Sequence, residues 1–431
     1  MEKMKQILFW AAIVLLFAAC REDGAAYTPE EINPKPIPEV IPEIPWTWEK
    51  PEDLQALCVY LGFEQDPSGV TQEEIEKIWH NTGRIMIPYI GYKRNGYGDL
   101  INGGIVKMLK CSEKPSGAEV DRLIDSLQSN PNYCNFSELK NSLDYFLYKG
   151  RAVCVDIHEF VGYIQYTYKT EEEKDESLFS DGEKQILLKE FELQIAGFLM
   201  DEYSDQVKAG NISLEILNEP KADSWENIQL YVAKAIHKQF PDLWLGIRPN
   251  QSYSVDCLRN TWFEPNDYAG MKTVVFLNFW FMERPDLGAS PVDFTIQYET
   301  FEKYRNGENV EFNIFGDWAI GHYSNKEYEI SPDTLGVEFK MTADWAEDNN
   351  TKVFFAELGC IRYADPEGQY FLYCLRYGQE YGIGIALFEV GAKYFFQYDG
   401  DVPFYLNDKN WAGFKYLQMD PGEIAFEEPL W

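Results

Sequence analysis

The run Ile216-Leu217-Asn218-Glu219-Pro220 ends an apolar segment on a carboxylate, and Val353-Phe354-Phe355-Ala356-Glu357-Leu358-Gly359 does the same. Each reads as a short buried strand that delivers one glutamate to its C-terminal end. In a parallel barrel that end is the face on which active sites are built. Two carboxylates in one cleft are the minimal equipment for cleaving a glycosidic bond. One protonates the leaving oxygen, and the other attacks the anomeric carbon or activates water.

Working outward from these runs, short apolar segments alternate with longer amphipathic ones. Strands are expected at 151–158, 212–217, 243–248, 273–279, 353–357 and 383–388. Between them lie helices at 182–203, 224–239, 295–305, 334–347 and 368–381, with a short closing helix at 411–418. The first of these places Ile186, Leu187, Phe191, Ile195, Phe198 and Leu199 on one face. Asp223 or Ser224 caps the second. Earlier in the chain, 83–89 reads as a strand and 57–62 as a weaker one, with helices at 72–80, 118–128 and 137–148. The glycine-rich run 91–104 reads as a loop over the barrel top, where loops shape clefts.

Regular strand–helix alternation means parallel strands with crossovers, in an open doubly wound sheet or a closed barrel. No glycine-rich phosphate loop follows any strand, which disfavours a nucleotide-binding sheet. The expected fold class is therefore α/β, a (β/α)8 barrel, spanning residues 47–431.

The chain has 431 residues, with Lys+Arg 38 against Asp+Glu 71 and a formal net charge of −33. Such acidity disfavours nucleic acid as a partner, since its phosphates are repelled. It also argues, more weakly, against a uronate-rich polymer. Aromatic residues are abundant, with 12 Trp, 28 Tyr and 28 Phe. They suit stacking against the flat faces of sugar rings, and equally the packing of barrel against helix. Eight cysteines and four histidines show no metal-ligand spacing, so neither metal nor cofactor is expected. Cys154 and Cys360 read as small buried residues.

Residues 1–20 read as a secretion signal. Lys3 and Lys5 precede an apolar stretch too short to remain as a membrane span, which ends Phe17-Ala18-Ala19-Cys20. That ending resembles the lipobox of bacterial lipoproteins, with Phe17 in place of the more usual Leu, and implies lipidation of Cys20. Glu22 and Asp23 resemble the surface-export signal of some Gram-negative lipoproteins, so an outer-membrane, cell-surface address is expected. Residues 21–46 form an acidic linker punctuated by Pro29, Pro34, Pro36, Pro38, Pro42 and Pro45, extended and semi-rigid. A lipid-anchored monomer acting on carbohydrate is the expected state.

Asn218-Glu219-Pro220 closing a fourth strand and Glu357-Leu358-Gly359 closing a seventh resemble the signature of clan A glycoside hydrolases, with family 5, the cellulases, the nearest match. The resemblance runs in order over about residues 70–400. It implies Glu219 as acid/base, Glu357 as nucleophile, and carboxyl groups about 5–5.5 Å apart for a retaining reaction. It also implies a sugar contact from Asn218 and a site role for His158 in Asp156-Ile157-His158. Phe294-Thr295-Ile296-Gln297 matches a further family motif in part. A β-glucan, a mannan or a related glycan is the implied substrate.

Three positions depart from the family pattern. The strand-two arginine is missing from Met86-Ile87-Pro88, with Arg84 and Arg94 nearby. The strand-six His-x-Tyr becomes Asn278-Phe279-Trp280. The strand-eight tryptophan becomes Phe388, followed by Glu389. His158 reads equally as a packed histidine. Asn278 reads equally as a sugar or backbone partner, Trp280 as a stacking platform at the cleft edge, and Arg248 as a sugar ligand or an ion-pair partner. These departures support an alternative, a surface glycan-binding protein on the same barrel that has lost turnover.

Overall fold

In a computed structural model, the described residues are 43–63, 72–90, 104–164, 174–250, 252, 255, 257–260, 263–279, 320–323, 326–329, 332–359, 368–388 and 414–421. Eight strands form a closed parallel barrel: β1 Gln55–Tyr60, β2 Thr82–Ile87, β3 Ala152–Ile157, β4 Ile212–Glu215, β5 Trp244–Ile247, β6 Thr273–Phe279, β7 Val353–Leu358 and β8 Gly384–Leu387. Each pairs with its sequence neighbour, and β8 closes on β1 through Gln55↔Ile385, Ala56↔Ala386 and Leu57↔Leu387. Helices that include Gly117–Ser129, Ser137–Tyr148, Gly182–Ala209, Trp225–Gln239, Pro332–Asp348 and Gln369–Tyr381 run between the strands. The (β/α)8 expectation holds.

Strand periodicity divides the side chains into two layers. Val153, Val155, Ile157, Leu214, Leu245 and Ile247 face outward into one continuous core with Leu187, Phe191, Leu199, Val232 and Ile236 of the helices. Ala56, Cys58, Met86, Cys154, Phe276, Phe354, Ala356 and Ala386 face inward and fill the barrel with Trp48. Gly246 is dictated by this filling, because a Cβ there would lie 2.8 Å from the Phe276 ring. Trp48 closes the floor. Its indole donates to Val153 O at 3.0 Å and its ring meets Phe354 edge-on at 5.1 Å. Asn211 holds the same N-terminal segment by donating to the carbonyls of Ile44 and Trp46.

Several expected boundaries move. The first strand begins two residues earlier than expected, because Gln55 is fixed by Asn81 at 2.9 Å. β4 stops at Glu215, after which the backbone turns so that Asn218 N donates to Ile157 O at 2.9 Å. The expected helix at 72–80 is only Gln72–Ile75, and of the closing helix the described residues hold Phe414–Leu417. An antiparallel pair, Ile320–Tyr323 with Lys326–Glu329, was not anticipated. The expected helix at 295–305, the loop 92–102, Trp280, Glu389, Arg94, Cys20 and Cys360 lie outside the described residues. Among those residues no helix is long and apolar enough to cross a membrane.

One irregularity positions the chemistry. Phe354 and Ala356 point inward, so strict alternation would turn Glu357 outward, toward the helices. The β6–β7 register instead steps from Leu277↔Phe355 to Asn278↔Glu357, and the β7–β8 register shifts at the same place. This bulge inserts one extra residue and re-aims the strand. Glu357 is thereby returned to the barrel interior.

Candidate active site

Above the apolar floor the barrel interior becomes charged. Arg84 on β2 is fully buried and is its centre. Its Nε and Nη2 donate to the two Glu215 carboxylate oxygens at 2.9 and 3.0 Å. Its Nη1 donates to Glu357 Oε1 at 2.9 Å. Nη2 also lies 3.0 Å from Asp156 Oδ2 and 3.1 Å from Asn218 Oδ1. A planar fork of fixed donors serves this many acceptors where an ammonium could not. Arg84, one of the two nearby candidates, thus reaches Glu357 from two residues before Met86.

Arg248, at the end of β5, is paired on the other side of Glu215 through its Nε. Its Nη1 donates to Ser252 Oγ at 3.2 Å and to Asn278 Oδ1 at 2.9 Å. It is an ion-pair partner of Glu215, and its Nη2 is buried without a hydrogen-bond partner among the described residues. Asn278 then donates from Nδ2 to Glu219 Oε1 at 2.6 Å. The amide orientation is fixed by its neighbours, because arginine can only donate and Oδ1 must face it.

The same reasoning orients Asn218. Its Oδ1 faces Arg84, and its Nδ2 is buried without a hydrogen-bond partner among the described residues. A buried amide donor with no partner costs about 1–3 kcal/mol, which an incoming acceptor relieves.

His158 follows β3. Its Nδ1 sits 2.9 Å from Asp156 Oδ2 and 4.0 Å from Glu357 Oε1. Burial disfavours the charged ring, but Asp156 and Glu357 outweigh it and raise its pKa to about 9. His158 is therefore a cation at neutral pH. Burial raises the pKa of Glu357 above the ordinary carboxylate range, and the Glu219 charge adds to it, while Arg84, His158 and Arg248 oppose. Arg248 and Arg84 hold Glu215 below its ordinary value against its own burial.

Glu219 departs from regular backbone. Its φ is +42°, a left-handed conformation that costs a non-glycine residue about 1–2 kcal/mol. Strain of this kind persists only where surrounding contacts over-determine it. The carboxyl is held by Asn278 and the carbonyl accepts from Tyr163 Oη at 2.5 Å. Glu219, Glu357, Asn218 and His158 are all buried or nearly so, at 7%, 3%, 1% and 4% exposure. Phe388 is half-buried on the rim of the interior cluster, and its backbone N donates to Leu358 O at 2.9 Å. Among the described residues no group of His, Cys, Asp and Glu could hold a metal ion.

The structure therefore gathers Glu219, Glu357, Asn218, His158, Asn278 and Arg248 into one network. Glu215, Asp156 and Tyr163 were not anticipated as members. Glu215 carried a signal, a charge inside the apolar run Leu214-Glu215-Ile216, and Arg84 carried the same one between Gly83 and Ile85. Nothing in the sequence marks Tyr163.

No family model matches the chain. Among curated proteins it is 25% identical over 229 residues to Endoglucanase C of Acetivibrio thermocellus, covering 51% of this chain and 61% of that protein. Endoglucanase C307 of Clostridium sp. strain F1 matches to the same extent. The match thus spans less than two thirds of these relatives' length. Among solved structures, a GH5-4 broad specificity endoglucanase from Clostridium acetobutylicum aligns with TM-score 0.50 and 12% identity, over 86% of this chain and 98% of that one. A family 5 xyloglucanase from Paenibacillus pabuli aligns with TM-score 0.50 and 15% identity, over 86% and 99%. The fold is the barrel of these structures, and the chain resembles clan A, family 5-like glycoside hydrolases.

Proposed function

We propose that the chain is a retaining glycoside hydrolase of the endo-β-glucanase kind, with Glu357 as nucleophile and Glu219 as acid/base. One observation carries the reading. Glu219, just after β4, and Glu357, in β7, are joined in one charged network through Asn278, Arg248, Glu215 and Arg84. The sequence similarity to endoglucanases supports the class and the β-glucan substrate.

In the first step a Glu357 oxygen forms a bond to the anomeric carbon while the glycosidic C–O bond breaks. The Glu219 proton passes to the leaving oxygen. In the second step water attacks the same carbon, gives its proton to the Glu219 carboxylate, and releases Glu357. Arg84 opposes the rise that burial imposes on the Glu357 pKa, and His158 adds a second positive charge nearby. Asn218 Nδ2 and Arg248 Nη2 are donors available to substrate hydroxyls. Phe388 contributes an apolar wall, and Trp280 is assigned a stacking role at the cleft edge. No cofactor is required. Lipidation at Cys20, a cell-surface address and a monomeric state complete the proposal, on the sequence features alone.

The glycan-binding alternative drew part of its force from the missing strand-two arginine. Arg84 at 2.9 Å from Glu357 removes that argument. The test is release of reducing sugar from a panel of β-linked glucans and mannans by wild type, E357Q and E219Q, with the anomer of the first product read by NMR. Hydrolysis with retained configuration that both substitutions abolish establishes the reading. Binding without hydrolysis by wild type overturns it.

A further inference from the structure

Glu219 combines two backbone constraints that oppose each other. Its φ is +42°, and Pro220 follows it, which disfavours helical conformations in the residue before it. Its peptide lies beyond the end of β4. The carbonyl accepts from Tyr163 Oη at 2.5 Å, across 56 residues of sequence.

Tyr163 is itself held on every side. The turn after β3 is closed by two backbone bonds between Phe160 and Tyr163, both 2.9 Å. Gly162 makes the turn with φ +81°, and a Cβ there would lie 2.8 Å from Leu178 N. Phe179 meets the Tyr163 ring edge-on at 5.4 Å and Trp225 at 6.3 Å. The Trp225 indole donates to Arg248 O at 2.9 Å, which ties this wall to β5. The phenol is fully buried, and burial and the Glu219 charge push it well above the ordinary tyrosine range. It remains a neutral donor.

We propose that Tyr163 is a positioning residue for Glu219. By clamping the Glu219 carbonyl it sets the direction from which the acid/base carboxyl meets the leaving oxygen. The inference rests on the acid/base reading of Glu219 and assigns a role outside the family motif.

An acid that is mis-aimed fails selectively. Leaving groups that depart as stable anions need no proton, whereas poor ones depend on it. The test uses the full chain, wild type and Y163F, on aryl β-cellobiosides graded from 2,4-dinitrophenyl to phenyl. For Y163F, kcat/KM on the phenyl substrate falls about 10-fold or more, and on the dinitrophenyl substrate it stays within about 2-fold, with KM little changed. Phe179→Leu keeps the hydroxyl but loosens the ring, and gives a smaller loss of the same pattern. Equal losses across the series, or no loss, overturn the proposal while leaving the hydrolase reading intact. A wild-type chain that cleaves none of these substrates and no glucan overturns that reading, and the role of Tyr163 with it.

Discussion

Asn278 donates to Glu219 across 2.6 Å while Arg248 donates to Asn278 across 2.9 Å, so a fixed positive charge reaches Glu219 through one neutral amide. The family pattern has a titratable histidine at this position. An amide has no proton to lose, and so it holds Glu219 the same way at every pH.

Removing that amide therefore has a defined sign. Without this donor the Glu219 carboxyl is no longer fixed where it must meet the leaving oxygen. N278A is expected to lose about 10-fold or more in kcat. Steady-state kinetics check it, and a kcat within about 2-fold of wild type would refute it.

The acid limb belongs to Glu357. Its raised pKa means that the nucleophile loses its charge at a higher pH than an ordinary glutamate does, near 4.3. Activity should accordingly fall on acidification from above that value. Glu219 contributes to the rise, so E219Q assayed on dinitrophenyl cellobioside should shift the limb downward. A limb unmoved by the substitution separates the two carboxylates electrostatically.

Arg84→Met strips the counter-charge from Glu215, Asp156 and Glu357 at once. Breaking a buried pair on one side costs about 3–5 kcal/mol, and here three carboxylates are left without their shared partner. Chemical denaturation should show at least that loss in unfolding free energy. Arg84→Lys keeps one charge without the fork and should fall between.

His158 links stability to pH. Its pKa rises from 6.5 to about 9 on folding. A raised pKa means the charged form is favoured in the native state, so the stabilisation is complete below about pH 6.5. It is lost as pH rises through about 9. The shift corresponds to a contribution on the order of 3 kcal/mol. Unfolding midpoints of wild type should drop between about pH 6 and pH 9, more than those of H158Q. Parallel curves for the two proteins would rule this out.

The barrel was legible in the sequence because most strands end close to where an apolar run meets Gly, Pro or a polar residue, as at Ile87-Pro88 and Ile157-His158. The two catalytic candidates were legible for the same reason, as were His158 and Asn278. Arg84 was visible only as a neighbour, since its guanidinium reaches the site from a position lower on the strand than the motif suggests. The bulge in β7 left no trace. A one-residue change of register alters no composition, yet it decides whether Glu357 faces the barrel interior or the helices. Tyr163 was hidden because its bond is to a backbone oxygen 56 residues away.

Ring closure through β1 and β8 has a consequence for the order of assembly. Arg84 lies 131 residues from Glu215 and 273 from Glu357. Asp156 and Glu215 both precede β7 in the chain, so synthesis from the N-terminus makes every residue of these ion pairs before it makes Glu357. Glu357 is the last of these carboxylates along the chain, and it comes with the strand whose neighbour completes the ring. A barrel made only as far as β6 therefore holds Glu219 without Glu357, and on the proposed reading it cannot cleave a glycoside.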